Sequence, residues 1–137
     1  MPDLLPVFDE LRRRMSVHED VFRRSTNMTD ANRPTSRKVD EPGTGDSYLL
    51  LGAPSDKYPD GQMFGGINIG KRYVSYHLMC VYLEPELLED MSPALRKRMQ
   101  GKSCFNFTRV DDALFDELAD VTARGRGLFA ERGWLAT

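Results

Sequence analysis

Residues 63–83, MFGGINIGKRYVSYHLMCVYL, restrict the possible folds more than any other stretch of the chain. Apolar, β-branched and aromatic side chains run on both sides of a glycine-led break at Gly70-Lys71, which reads as two long strands joined by a tight hairpin turn. In the second strand, taken over 72–83, Val74, Tyr76, Leu78, Cys80 and Tyr82 alternate onto one face, and Tyr73, Ser75, His77 and Met79 onto the other. Both faces are largely apolar, so this strand should lie inside a sheet. Gly65 and Gly66 interrupt its partner, marking a bulge or a close approach by another element.

Helical patterns bracket this β centre. Leu4, Val7, Phe8, Leu11 and Met15 recur at helical spacing, with Asp3 as a cap, Pro6 in the first turn and Arg12, Arg13 and Arg14 where cations suit the helix dipole. A long final helix enters near Asp111 and carries Leu114, Leu118, Val121 and Leu128, weakened by Gly125 and Gly127. Between sheet and final helix, SPALRKRMQG reads as a helix capped by Ser92, with Pro93 at its first position and Gly101 ending it. SYLLLG (47–52) and SCFNF (103–107) supply further strands, and a short one is expected near Val21 and Phe22. The segment at about 25–47 is polar and broken by proline and glycine, so it reads as irregular. The expected fold is one α+β domain over 1–137 in two layers, an antiparallel β-sheet with the N- and C-terminal helices packed on one face.

Gly101-Lys102-Ser103 resembles the end of a phosphate loop only superficially. A loop of that kind needs glycine where Arg96 stands, and it opens a helix after a strand, whereas here the order is reversed. Arg96, Lys97, Arg98 and Lys102 remain as a candidate patch for an anion or an acidic partner. The chain as a whole has no such bias: 19 Lys and Arg against 21 Asp and Glu give a net charge of −2, which argues against nucleic acid as a partner. No apolar run is long enough to span a bilayer and the N-terminus lacks the apolar core of a signal peptide, so the expected location is the cytoplasm, without membrane attachment.

The stretch YVSYHLMCVYLEPELLEDMSPALRKRMQGKSCFNF, followed by VDDALFDELADVTARG, resembles the YdhG-like domain family, a bacterial family of largely unknown function. The likeness covers 63–135 and implies an α+β domain with an antiparallel sheet. Some relatives are frataxin-like in shape and linked to iron delivery, so the resemblance implies iron as a possible cargo. No motif in the chain itself implies a cofactor. The acidic row Asp112, Asp116 and Asp120, four apart on one helix face, is the residue set that metal binding would use.

Two functional readings follow. The first is a non-catalytic binding domain, its ligand seated beside the sheet face of Tyr73, Ser75, His77 and Met79 and roofed by 25–47, with Tyr73 and His77 giving directional hydrogen bonds. The second is iron or other metal delivery through Asp112, Asp116 and Asp120. Neither reading fixes the ligand, the partner or the oligomeric state. Nucleophilic chemistry would need a thiol beside His77; Cys80 lies three positions away and points to the opposite face, while Cys104 on a neighbouring strand could approach either residue.

Overall fold

The computed structural model describes residues 4–25, 47–59, 61–70 and 72–137. Asp3, Lys71 and nearly all of the 25–47 segment, and so the expected cap and roof, lie outside them.

Helix α1 (Leu5–Met15) buries Val7, Phe8, Leu11 and Met15, the stripe its spacing predicts. Six strands follow: β1 (Arg23–Ser25), β2 (Ser47–Leu51), β3 (Met63–Ile69), β4 (Val74–Leu78), β5 (Met99–Gln100) and β6 (Cys104–Phe107). They form one antiparallel sheet in the order β1-β2-β3-β4-β6-β5. Two short helices, α2 (Met79–Leu83) and α3 (Pro93–Arg96), connect β4 to β5, and α4 (Asp112–Glu131) closes the fold.

The register decides what each sheet face can do. Tyr48, Ile67, Tyr76 and Phe105 stand opposite one another across four strands, and Val74 opposite Phe107. These residues and the buried sides of all four helices share one core, so the helices cover a single face in an α+β two-layer fold. Phe64 anchors one end of this core, stacked on Phe22 at 4.1 Å between ring centroids and edge-on to Phe129 at 5.1 Å. Leu49, Leu51 and Met63 make a separate small cluster from strand residues alone.

The glycine pair in β3 does both things its sequence suggests. The β2–β3 register slips between Leu50 and Leu51, and a methyl on Gly65 would stand 2.9 Å from Met15 Cε, so its absence lets α1 lie close on the sheet.

One polar contact ties the sheet to α4, and a second ties the segment after α1 to α4. Tyr76 donates its hydroxyl proton to Thr122 Oγ1 at 2.6 Å, because Thr122 donates in turn to the Leu118 carbonyl at 2.7 Å. Burial raises the Tyr76 pKa, so the phenol stays protonated. Thr122→Val should strand this hydroxyl and cost about 1–3 kcal/mol in urea unfolding, whereas Tyr76→Phe with Thr122→Val should cost less than the sum of the single changes.

The second contact sits at the buried His18, whose Nδ1 lies 3.3 Å from Arg126 Nη1 beside the paired Arg126–Asp20 groups. Burial, then the nearby guanidinium, lowers the His18 pKa from its ordinary 6.5. The unfolded chain therefore binds a proton first on acidification. Stability from this site is complete above about pH 6.5 and is lost as pH falls toward the lower native pKa. Urea midpoints between pH 7.5 and 5.5 should fall, and His18→Gln should flatten that part of the profile.

Three expectations change. Residues 79–83 are helical rather than strand, with Cys80 and Val81 both buried and Tyr82 exposed, a pattern that suits a helix turn but not a pleat. The SPALRKRMQG helix stops after one turn, although Ser92 Oγ does accept from Leu95 N at 3.1 Å as the cap. Met99 and Gln100 instead pair with Phe105 and Cys104, so Gly101, at φ +72°, serves a hairpin turn rather than a helix end. Finally, the β3–β4 connection spans 70–73, with Gly70 N–H donating to the Tyr73 carbonyl at 2.9 Å.

Candidate functional site

Among the described residues, no helix packs on the second face of the sheet, and the strand register writes two transverse rows across it. The first row is Ser47, Asn68, Ser75 and Asn106, one from each of β2, β3, β4 and β6. Every member is polar and uncharged. Ser47 Oγ donates to Asn68 Oδ1 at 2.9 Å and Ser75 Oγ to Asn106 Oδ1 at 2.8 Å, while Asn106 donates to Gln100 Oε1. Cross-strand pairs of this kind fix side-chain direction on a pleated surface.

The second row, one pleat along, is Leu49, Gly66, His77, Cys104 and Gln100. Here the missing side chain at Gly66 matters: a methyl there would meet Leu49 Cδ2 at 2.6 Å and Met63 Cε at 3.1 Å. The hollow between the rows is a cavity of about 110 Å³ lined by Leu49, Met63, Gly66, Asn68, Ser75, His77 and Cys104 among others. Among the described residues, no Asp, Glu, Lys or Arg lines it. Beside it lies a shallower recess of about 330 Å³ formed by Asn68, Gly70, Arg72, Tyr73 and Ser75.

Of the four residues expected to line one site, three meet around these hollows. Ser75 borders both, His77 the first and Tyr73 the second. Met79 does not join them, because the chain turns into α2 at that position and Met79 packs against the helix-side core.

The residue that pattern reading left open is Cys104. It stands directly opposite His77 in the register, with Sγ 2.9 Å from Nδ1, and the Ser103 hydroxyl lies 3.3 Å from the same nitrogen. Its place on a strand beside β4 was legible; its partner depended on the register. Cys80 differs in every respect: it lies on the helix side, and burial pushes its thiol up to about 12.

The charged candidates stand elsewhere. Arg14, whose side chain is 15% exposed, reaches Glu10 at 2.7 Å, Asp112 at 3.2 Å and also Asp116. Asp120 faces Arg124 at 3.2 Å. Two members of the acidic row thus join α1 to α4 through one guanidinium. Among the described residues, no group of three or more His, Cys, Asp or Glu could hold a metal ion.

Arg96, Lys97, Arg98 and Lys102 are exposed and flank β5, which with β1 is an outer strand of the sheet. Charge at that position also deters edge-to-edge pairing with another sheet. No helix among the described residues is long and apolar enough to cross a membrane.

Compared with protein-family models, with curated proteins and with solved structures, the chain matches none.

Proposed function

We propose that this is a small cytoplasmic, non-catalytic binding protein that holds an uncharged, hydrogen-bonding small molecule against the helix-free face of its sheet. The observation that carries the reading is the cavity beneath Ser75 and His77, whose lining combines apolar floor residues with neutral polar groups. Pockets bind by burying apolar surface and orient their ligands with a few convergent polar atoms. No Asp, Glu, Lys or Arg among the described residues lines the cavity, so an ionised ligand would lose its hydration here without a fixed counter-charge, and the lining favours neutral ones.

Asn68 supplies direction. Its carboxamide oxygen accepts from Ser47, so the amide nitrogen is the group that Asn68 has to offer a ligand in the cavity it borders. A ligand carbonyl or hydroxyl would meet that nitrogen on one side and Ser75 and His77 on the other.

The test is a fragment screen by amide chemical shifts, using matched neutral and ionised pairs such as propionamide and propionate. Neutral fragments should move the signals of Gly66, Asn68, Ser75 and His77, and His77→Ala should weaken a hit about tenfold, the loss of about one hydrogen bond. Tyr73→Phe should weaken only those hits that extend into the neighbouring recess. Equal affinity for ionised fragments, or hits indifferent to both substitutions, would put the site elsewhere.

A further inference from the structure

The pairing of Cys104 with His77 does more than line a cavity. We propose that Cys104 is a nucleophile activated by His77 and that it captures small, uncharged α,β-unsaturated carbonyl compounds as thioethers. The proposal rests on the binding reading above and names the ligand class for that pocket.

Three observations converge on it. The Sγ–Nδ1 separation of 2.9 Å puts thiol and imidazole in direct contact, so the imidazole is placed to take the thiol proton. The two groups face each other from adjacent strands, so the geometry is set by backbone pairing rather than by a mobile loop. Cys104 also lines the cavity in which the proposed ligand sits. Cys80 differs: it is buried in the helix-side core against Gly125 of α4 and is not among the described residues that line the cavity.

The bond changes are those of a conjugate addition. The Cys104 thiol proton passes to His77 Nδ1, and the sulfur electron pair forms a bond to the β-carbon of the ligand. The carbon–carbon π pair moves toward the carbonyl as an enolate, and the imidazolium returns its proton to the α-carbon. The net result adds S–H across the double bond, with no oxidant, reductant or leaving group.

The ligand's carbonyl oxygen gains charge during the step, and Asn68, which borders the cavity with its carboxamide oxygen already taken by Ser47, has an amide donor to offer it. A neutral compound enters without the desolvation cost of a carboxylate. A cavity of about 110 Å³ admits only a few heavy atoms.

Acrylamide is the probe, applied to the reduced full chain and followed by intact mass and peptide mapping. One adduct is expected, on Cys104, forming at least about tenfold faster than the acrylamide adduct of glutathione at the same pH. Cys104→Ser should abolish it, and His77→Gln should slow it about tenfold or more. Acrylate, the ionised counterpart, should react more than about tenfold more slowly than acrylamide after correction for their glutathione rates. This comparison uses the unaltered chain and so decides the matter even if His77→Gln does not fold.

A Cys104 rate no higher than that of glutathione, an unchanged rate in a folded His77→Gln, or no preference over acrylate overturns the proposal. Propionamide, the saturated isostere, separates it from the binding reading. Protection by propionamide with an ordinary thiol rate removes the nucleophile and leaves the pocket. A fast, His77-dependent rate without saturation or protection leaves the nucleophile and removes the pocket.

Discussion

Phe64→Ala is expected to destabilise the fold by about 3–5 kcal/mol, the range for emptying an aromatic site in a close-packed core. Phe64 is fully buried and is the shared neighbour in an aromatic group that joins distant parts of the chain. It stacks on Phe22, meets His18 and Phe129 edge-on, and Phe129 in turn meets Trp134 at 5.2 Å. The last residues depend on the same group. Ala53 N donates to the Trp134 carbonyl at 2.8 Å, and Ala136 N to the Val21 carbonyl at 2.8 Å. Removing the ring should therefore loosen β3, the 16–22 segment and the C-terminal tail together. A domain of this size has only about 5–15 kcal/mol to lose. Equilibrium urea unfolding measures the change, with Phe64→Leu as the volume control, expected to lose much less. A loss under about 1 kcal/mol for Phe64→Ala would mean that the space closes by rearrangement and that the rings do not act as a unit.

How much of this was legible beforehand depends on how many constraints acted at each position. In α1, spacing alone identified the buried face, because five apolar residues on one stripe leave no other way to bury them. At Ser92 the cap was legible because serine before proline satisfies two local rules at once. Residues 79–83 were not. Met-Cys-Val-Tyr-Leu is apolar throughout, so neither the two-residue nor the 3.6-residue period stands out, and packing against α4 and the sheet decides between them. β5 was missed for a related reason. Two residues carry no period, and their pairing with β6 is a long-range fact that local propensity cannot express.

The candidate site shows the same division. Alternation along β4 placed Ser75 and His77 on one face, since that inference needs only a strand. Met79 failed because the strand ends before it. The neutral row and the thiol–imidazole contact both need the relative register of separate strands, and register is a property of pairs. The acidic row was legible as a helix face, but Arg14, read as a solvated helix-end cation, crosses to it from α1. A solvated charge and an interhelical one look the same in a single helix; only the packing of α1 beside α4 tells them apart.

That packing geometry can be challenged at Gly125, the point where α4 comes closest to α2. Alanine is the better helix former by about 1 kcal/mol, so local propensity alone predicts that Gly125→Ala stabilises. Contact predicts the reverse. A methyl on Gly125 would overlap Cys80 Sγ and stand 2.8 Å from Cys80 Cβ, and that second atom cannot swing away because the backbone holds it. Forcing the helices apart in a filled core costs about 1–3 kcal/mol or more, and subtracting the propensity gain of about 1 leaves a net destabilisation of up to about 2 kcal/mol or more expected in urea unfolding. Cys80→Ala removes the sulfur but keeps Cβ. The double variant should therefore be more stable than the sum of the two single losses, yet still below the parent. Stabilisation by Gly125→Ala would mean that α2 yields and that propensity governs this turn. A positive coupling would show instead that the glycine is held by the close approach of α2, which also places the buried Cys80 away from the sheet face on which Cys104 meets His77.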